Sequence, residues 1–382
     1  MTTSHLQFYT KHQISPVRQN ISDLGSHFQR REALLRHLGI LPQFIEGRKV
    51  LEVGPGSGHN AIYIGSLSPS RYLLVEGNPT GIEQMTQLFS QHPVHTAAIE
   101  IVHSTIEDWQ PDTAYDFVFC EGLLSGVPNP QEILEKLGDA VAPGGVLTIT
   151  CVDHLSHFPE TIRRALANKV VGDAVSLDQK VEKILPMLKP HLDSLEGMSR
   201  RYDDWIIDNL IHPGSIIPLI NIPEATSFLA ARFDYYGGSP HFVADWRWYK
   251  SLVGEGRSFN QHATDEYWSV AHNLMDYRCI TAPRDPVFNV ELYDLCSQAR
   301  RAIETYEKDG NNAHMLAFTD LLARIAKNLR DDMPTTAKDI LESLEFLVRP
   351  DFQPDQVAES QGFGSLFGRG QQYISYVRRA GF

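Results

Sequence analysis

Short apolar segments alternate with helix-length amphipathic segments through the first 150 residues of this chain. Four of the apolar segments have the length and composition of buried strands, at residues 49–53, 72–76, 99–103 and 115–121. A fifth, at residues 146–151, follows a predicted helix from Pro130 to Val141. Strands that alternate with helical stretches predict βαβ units and a parallel sheet of the α/β class.

The pattern continues on both sides of this region. A helix from Ile21 to Leu38, with Ser22 as its N-cap, is predicted before the first strand. The later predicted elements are a helical run at 160–188, a helix at 223–231, a sixth strand at 232–236, and helices at 290–308, 313–329 and 336–347. Residues 368–378 alternate after glycines and predict a seventh, antiparallel strand.

The first strand runs directly into a glycine-rich turn. Gly54, Gly56 and Gly58 occupy alternate positions, and a helix is predicted to begin near Asn60. Glycine lets a backbone turn tightly and approach a ligand with no Cβ in the way. The spacing is G-x-G-x-G, which differs from the G-x-G-x-x-G dinucleotide pattern. An acid, Glu76, ends the next strand, where nucleotide-binding βαβ units hold ribose hydroxyls.

These features resemble motif I and the following units of the class I, Rossmann-like S-adenosylmethionine (SAM) methyltransferases. The resemblance covers residues 48–152 and includes the turn at residues 142–145 before the fifth strand. It implies an α/β fold, a Rossmann-like seven-stranded methyltransferase sheet with helical insertions, and SAM as the cofactor. The alternative is another Rossmann nucleotide binder.

The resemblance also implies a set of cofactor-binding residues. The glycines would line the methionine and ribose parts of SAM, Glu52 would help hold the amino group, and Glu76 would take the ribose hydroxyls. Thr105 stands where the family usually has an acid beside the adenine, and Glu107 or Asp108 could substitute. The full set is Glu52, Gly54, Pro55, Gly56, Ser57, Gly58, Glu76, Gly77, Asn78, Thr105, Ile106, Cys120 and Glu121.

Segments outside the predicted core divide the chain into further regions. Residues 1–45 are expected to form an N-terminal helical lid over SAM, or alternatively a helix packed on the sheet. The core, 46–152, is completed by 223–240 and 368–379. Residues 153–222 are expected to form a helical insert that builds the acceptor pocket. Residues 241–367 are expected to be a second helical insert or a separate C-terminal helical domain.

Transfer of a methyl group to a hydroxyl requires a base, usually a histidine or a carboxylate. The candidates follow the predicted strands or lie in the inserts: His212, His241, Glu121, Asp153 and His154. His212 could instead cap a helix. Trp246, Trp248 and Tyr249 are expected to be packing residues, because aromatic side chains dominate protein cores. No metal is expected, since the Asp153-His154-x-x-His157 spacing fits neither a hard-cation site nor zinc.

The composition limits the kinds of partner that this protein is expected to bind. A formal charge of −13 argues against general nucleic-acid binding. The chain shows no apolar run of membrane-spanning length and no signal peptide, and its four cysteines lack C-x-x-C spacing. A cytoplasmic protein is therefore expected, with no nucleic-acid or membrane partner, and a homodimer is compatible with these features.

The sequence thus predicts a SAM-dependent methyltransferase. Large inserts rich in aromatic and histidine residues favour an enclosed pocket for a polar small molecule, such as a sugar, a sugar nucleotide or a natural-product intermediate, with O-methylation favoured. Two alternatives stay open. One is methylation of a protein or peptide side chain, and the other is a non-catalytic SAM-binding scaffold protein.

Overall fold

A computed structural model of the protein describes residues 4–92, 98–213 and 219–381. Residues 1–3 of the predicted lid, and Gly214 after His212, lie outside these ranges. The chain divides into two compact units. The first comprises Met1–Val152, Ile216–Tyr267 and Gln371–Phe382, and the second comprises Asp153–Ser215 and Trp268–Gly370.

A seven-stranded mixed sheet is the centre of the first unit, in the order β3-β2-β1-β4-β5-β7-β6. Strands β1 to β5 are parallel, and β7 runs antiparallel to both of its neighbours, β5 and β6. The strand bounds are β1 Lys49–Val53, β2 Arg71–Glu76, β3 Ile99–His103, β4 Tyr115–Cys120, β5 Val141–Cys151, β6 Phe233–Ser239 and β7 Gln372–Arg378. The predicted fold class and seventh strand are confirmed.

Helices flank the sheet and build the second unit. Those wholly in the first unit are α1 Ser4–His12, α2 Leu24–His37, α3 Ala61–Ser66, α4 Pro79–Gln91, α5 Pro130–Ala140 and α9 Ile222–Leu229. The second unit contains α6 Phe158–Val171, α7 Leu177–Ser194, α8 Tyr202–Ile206, α11 Pro286–Asp309, α12 Asn312–Leu329, α13 Pro334–Val348, α14 Pro354–Ala358 and α15 Gly362–Ser365. Helix α10, Phe259–Val270, begins in the first unit and ends in the second.

The central strands are buried on both faces. In β1, every residue from Val50 to Val53 is buried, and in β2 every residue from Tyr72 to Glu76 is buried. A continuous apolar run is what a parallel sheet covered by helices on both sides requires. Acidic residues stand at the carboxyl ends of two of the parallel strands, where Glu76 ends β2 and Glu121 follows β4.

Helix α2 begins later than the sequence predicts. Asp23, rather than Ser22, is its N-cap, because the Asp23 carboxylate accepts hydrogen bonds from the Ser26 backbone N–H at 3.0 Å and from the Ser26 hydroxyl at 2.6 Å. A carboxylate at a helix N-terminus also interacts favourably with the helix dipole. The predicted Ser22 N-cap was therefore wrong.

The helical run predicted at 160–188 is two helices. Helix α6 ends at Gly172, which has a φ of 54°. Ser176 then starts α7 with a capping box, in which its side chain accepts from the Gln179 backbone and the Gln179 side chain accepts from the Ser176 backbone. A positive-φ glycine and a capping box are, respectively, stop and start signals that interrupt an otherwise continuous helical pattern.

Two strands extend beyond their predicted bounds. The segment from Ala142 to Gly145 belongs to β5 and forms a register irregularity, in which Tyr115 pairs with Val141 but Phe117 pairs with Val146. Strand β6 likewise runs through residues 237–239, beyond the predicted end of the sixth strand at residue 236. Glycine is required there, since a Cβ on Gly237 would lie 2.7 Å from the carbonyl carbon of Leu38.

Residues 241–267, which the sequence places in the second helical insert, cluster with the sheet. Asn260 fixes this segment to β6, because its side chain donates to the Phe233 carbonyl at 2.8 Å and accepts from the Tyr235 N–H at 2.6 Å. The Phe242 ring also lies between the rings of Tyr235 and Tyr267. The division of the chain into functional domains stays a prediction.

The second unit has its own core. Helices α11, α12 and α13 pack in succession and bury Leu292, Phe318, Leu322 and Ile340. The fully buried Arg163 on α6 donates to the carbonyls of Phe363 and Gly364 in α15 and of Leu366 directly after it. Among the described residues, no helix is both long and apolar enough to cross a bilayer.

We expect Gly237→Ala to destabilise the protein by about 1–3 kcal/mol, because the added Cβ overpacks the contact between β6 and the end of α2. Urea unfolding measures the loss. Gly381→Ala is the matched control, since a Cβ there meets nothing within 4 Å. Equal stabilities of the two variants would contradict the tight contact.

Candidate active site

The turn after β1 has a backbone that favours glycine at three positions. Gly54, Gly56 and Gly58 have φ values of 75°, 58° and 77°. Residues with a side chain rarely adopt such values. A Cβ added to Gly56 would lie 2.6 Å from the Val17 side chain, and a Cβ added to Gly58 would lie 2.6 Å from the Met85 side chain. The loop is therefore closely packed against Met85 of α4 and against Val17 of the N-terminal segment.

Glu76, at the end of β2, holds this loop in place. Its Oε2 accepts from the Gly56 N–H at 2.7 Å, and its Oε1 accepts from the Asn78 N–H at 2.7 Å. Burial raises the pKa of Glu76, and the hydrogen bonds from the backbone oppose that rise. Each carboxylate oxygen can accept a further bond, so the carboxylate can still receive hydroxyl donors of a ligand.

Asn78 connects the same region to the N-terminal segment. Its Oδ1 caps α4 by accepting from the Thr80 N–H at 3.1 Å, and its Nδ2 donates to the Ile14 carbonyl at 2.9 Å. Next to it, a Cβ on Gly77 would lie 3.0 Å from Leu6. The N-terminal segment thus packs on the two turns that the sequence assigns to the cofactor, while its role as a lid stays a prediction.

Glu52 is buried in β1, two residues before the glycine turn. It accepts a hydrogen bond from the Tyr72 hydroxyl. Burial raises the pKa of Glu52 to about 7, and the nearby Glu121 and Glu76 carboxylates act in the same direction. A positively charged group placed beside Glu52 would stabilise its ionised form.

The other predicted cofactor residues lie along the same edge or beside it. Within the glycine turn, Gly58 donates to the Pro55 carbonyl at 3.0 Å, and the buried Ser57 hydroxyl bonds to His59 Nδ1 at 2.9 Å. Thr105 forms a local turn, in which its hydroxyl donates to Asp108 at 3.0 Å, and Ile106 is buried. Cys120 is fully buried at the end of β4, and burial raises the pKa of its thiol.

Glu121 receives three side-chain donors. Its Oε1 accepts from Asn60 Nδ2 at 2.9 Å and from the Tyr373 hydroxyl at 2.5 Å, and its Oε2 accepts from Arg31 Nη2 at 3.1 Å. These donors come from the start of α3, from β7 and from α2. Three donors from three separate elements, one of them a guanidinium, fix the position of this carboxylate.

Sequence reasoning missed Arg31, Asn60 and Tyr373. Tyr373 was placed only as a strand residue and Arg31 only as part of a helix. Nothing in their local patterns connects them with Glu121, because Glu121 is 90 residues from Arg31 and 252 residues from Tyr373 along the chain. The prediction of a seventh, antiparallel strand over residues 368–378 was the one available signal for Tyr373.

The predicted bases are divided between the two units. Glu121 and His241 belong to the first unit, while Asp153, His154 and His212 belong to the second. His241 is exposed, with its ring centroid 6.4 Å from that of His37.

In the second unit, the Asp153 carboxylate accepts from the N–H groups of Leu155 and Ser156, both at 2.8 Å, and so caps the turn before α6. Burial, with help from Arg300 and Arg301, lowers the pKa of His154 to about 3, which makes it a weak base. His212 is buried after α8, and its carbonyl accepts from Arg164 at 2.7 Å. The catalytic roles of all five stay predictions.

The aromatic residues after β6 are not packing residues. Trp246, Trp248 and Tyr249 are 94%, 65% and 67% exposed. The expectation of a core position was wrong because these residues lie in an irregular, exposed segment, where the rings of Trp248 and Tyr249 contact each other and Lys250. Among the described residues, no group of three potential metal ligands comes together.

A model of the methyltransferase-domain family matches residues 26–186. This part of the chain is similar to that family. The match includes most of α2, the glycine turn, and the acids that end β2 and follow β4, so the resemblance to class I SAM methyltransferases is confirmed.

Two curated relatives are similar over part of their length. One is the mitochondrial ubiquinone biosynthesis O-methyltransferase of Schizosaccharomyces pombe, 28% identical over 141 residues, which are 37% of this chain and 47% of the relative. The other is a trans-aconitate 2-methyltransferase of Rhodopseudomonas palustris, 22% identical over 159 residues, which are 41% of this chain and 60% of the relative. The chain thus spans less than two thirds of either protein.

Solved structures are similar as well. A SAM-dependent methyltransferase from Mesorhizobium loti is 16% identical, with a TM-score of 0.29 over 34% of this chain and 57% of that one.

The buried Glu52 predicts a particular pH dependence of stability. Because its pKa in the folded protein, about 7, is higher than the ordinary value of 4.5, the protonated form favours folding. This contribution is fully present below about pH 4.5 and is lost as the pH rises through 7. Relative to Glu52→Gln, the wild type should lose on the order of 3 kcal/mol between pH 5 and pH 8. Urea unfolding at four pH values measures it, and parallel pH profiles of the two proteins would contradict it.

Proposed function

We propose that this protein is a SAM-dependent methyltransferase that acts on a polar small molecule, with a hydroxyl as the favoured acceptor. The observation that carries the proposal is the Glu76 carboxylate, which bonds the backbone of the Gly56 turn and of Asn78 while keeping acceptor capacity at the edge of the sheet. A loop fixed in this way presents backbone to a ligand beside an acid for its hydroxyls.

Charge supports a cationic cofactor. Glu52 lies in β1, Glu76 ends β2 and Glu121 follows β4, and these strands are neighbours in the sheet. SAM carries positive charge on its sulfonium and its ammonium group. Opposite charges interact more strongly where burial keeps water away, so this edge favours a positively charged nucleoside over a neutral or anionic one.

Methyl transfer chiefly requires that the acceptor atom be aligned with the sulfonium. In the first unit, the glycine turn and Glu76 would hold the nucleoside, and Glu52 would hold the ammonium group. The Glu121 carboxylate, fixed by Arg31, Asn60 and Tyr373, would orient groups beside the transferred methyl. SAM supplies the methyl group itself.

The acceptor class is supported by the relatives. Both curated proteins named above are small-molecule methyltransferases by name, and one of them is an O-methyltransferase. A sugar, a sugar nucleotide or a natural-product intermediate stays the favoured acceptor. Incubating the protein with SAM and an extract of metabolites, and searching by mass spectrometry for products heavier by one methylene, tests this class.

Binding of SAM depends on the glycine turn and on Glu76. We expect Glu76→Gln to weaken SAM binding about 10- to 100-fold, since charge-assisted hydrogen bonds of about 1.5–3 kcal/mol are lost. Gly56→Ala should also weaken it, because its Cβ meets Val17 at a positive φ. Calorimetry measures both changes.

The control for Gly56→Ala is Gly47→Ala, where φ is 69° but no atom lies within 4 Å of the added Cβ. It separates backbone strain from the local contact and should keep the affinity for SAM within about twofold. Wild-type protein that fails to bind SAM, or two loop variants with unchanged affinity, would refute the proposed cofactor.

The second unit and the segment after β6 supply the proposed bases, His212 and His241. If the acceptor is a hydroxyl and one of them is the base, replacing that residue with Gln should lower turnover by about 10²- to 10⁴-fold and leave SAM binding intact. Turnover is measured as release of S-adenosylhomocysteine. Near-wild-type turnover in both variants would transfer the role to Asp153, His154 or Glu121, or would point to an amine acceptor.

A further inference from the structure

A loop after β6 exposes several large apolar side chains. We call residues 245–258 the aromatic loop, and all of it lies in the first unit. Trp246, Trp248, Tyr249 and Val253 are all exposed, Trp246 almost completely. Single exposed apolar residues are common on protein surfaces, whereas a group of them marks a site of interaction. Four such residues in one short loop therefore indicate an interaction surface.

Arg247 braces the aromatic loop from within. Its guanidinium donates to the two carboxylate oxygens of Asp245, at 2.8 and 2.6 Å, and to the Gly256 carbonyl and the Ser258 hydroxyl, both at 3.4 Å. The same group lies 5.4 Å from the centre of the Phe259 ring. Because Arg247 connects the two ends of the loop, the aromatic side chains between them project from a braced segment.

Backbone donors of the aromatic loop are used within the loop itself. The N–H groups that donate to its own carbonyls are those of Ser251, Leu252, Val253 and Gly256, at 2.9, 3.2, 2.9 and 3.0 Å. The Ser251 hydroxyl also donates to the Trp248 carbonyl at 2.7 Å. A backbone group that enters a layer poor in water needs a hydrogen-bond partner within the protein. These positions meet that requirement.

The charges of the aromatic loop are nearly balanced. It contains three basic and two acidic side chains, namely Arg247, Lys250, Arg257, Asp245 and Glu255. The Lys250 ammonium lies 5.7 Å from the centre of the Trp248 ring and 5.9 Å from that of Tyr249. A lysine can cover apolar surface with its stem while its charged end stays in water. The loop therefore meets a partner through its aromatic surface rather than through net charge.

We propose that the aromatic loop binds the surface of a phospholipid bilayer, with its aromatic rings and Val253 in the interfacial layer and Lys250 among the headgroups. Trp and Tyr are enriched at membrane–water interfaces, because their rings are apolar and each carries one polar group. The balanced loop favours zwitterionic lipids such as phosphatidylcholine, since the formal charge of −13 on the chain opposes approach to anionic lipids.

A protein partner fits these observations less well. Protein interfaces place aromatic anchors in pockets and surround them with polar groups that bond to the partner. In the aromatic loop, the Arg247 guanidinium and the Ser251 hydroxyl already bond within the loop. The expectation of no membrane partner followed from the lack of a spanning segment, and a loop that lies on the surface of a bilayer requires none.

Cosedimentation of the full chain with phosphatidylcholine vesicles tests the proposal. Trp246→Ser combined with Trp248→Ser should lower the partition constant about 100-fold, because each change removes a large apolar side chain from the interface. Brominated lipids should quench the tryptophan emission of the wild type more than that of the double variant. Raising the salt to about 0.5 M NaCl should change binding less than about twofold, since net charge does not drive it.

Leu41→Ser is the matched control, because its side chain is 72% exposed in the same unit but lies outside the aromatic loop. It should bind vesicles like the wild type. Trp246→Ser alone, with an expected loss of about tenfold, serves if the double variant does not fold.

Three results would overturn the proposal: wild-type protein that does not bind these vesicles, a double variant that binds them as tightly as the wild type, or binding to anionic vesicles alone. Wild-type protein that forms a dimer without binding vesicles, and that the double variant leaves monomeric, would assign the loop to a second copy instead. The proposal goes beyond the proposed function and needs neither SAM nor an acceptor, so the two are tested separately.

Discussion

The two hydrogen bonds that Glu76 accepts from backbone N–H groups fix the segments that follow β1 and β2 at the carboxyl edge of the sheet. One bond fixes the turn after β1 and the other fixes the start of the segment that leads into α4. Gly54 and Gly58 donate to the Val75 and Pro55 carbonyls, and the bond to Glu76 fixes Gly56 between them, where φ is also positive. A single buried acid on β2 therefore sets the shape of a loop that belongs to its neighbouring strand.

The acids of this edge depend on one another. Glu52, Glu76 and Glu121 lie on or after adjacent strands, and each ionised carboxylate makes ionisation of Glu52 less favourable. The protein offsets this repulsion differently at each position, with a tyrosine hydroxyl at Glu52, backbone amides at Glu76, and an arginine, an amide and a hydroxyl at Glu121. The remaining unfavourable charge is what a cationic ligand would relieve.

Local patterns were enough to predict the strands, the glycine turn and the acid at Glu76, because burial periodicity and glycine spacing are properties of neighbouring residues. The seventh strand was predictable from its alternation after glycines. The partners of Glu121 were not, since Arg31 and Tyr373 meet it only after the chain has folded. Exposure of Trp246 was missed for a related reason: an aromatic residue in an irregular segment gives no sign of which neighbours will cover it.

The position of β7 in the sheet has a consequence for how the protein is made. Among the described strands, β6 is paired with β7 alone, and helices α10 to α15 lie between these two strands in the chain. During synthesis, the backbone groups of β6 and of the outer edge of β5 therefore stay unpaired until the rest of the second unit and β7 have been synthesised. Contacts of such large sequence separation form slowly, and exposed strand edges invite pairing with other chains. Folding of the first unit should thus be completed last at the edge where the chain returns, and that edge is the place where a nascent chain most needs protection from aggregation.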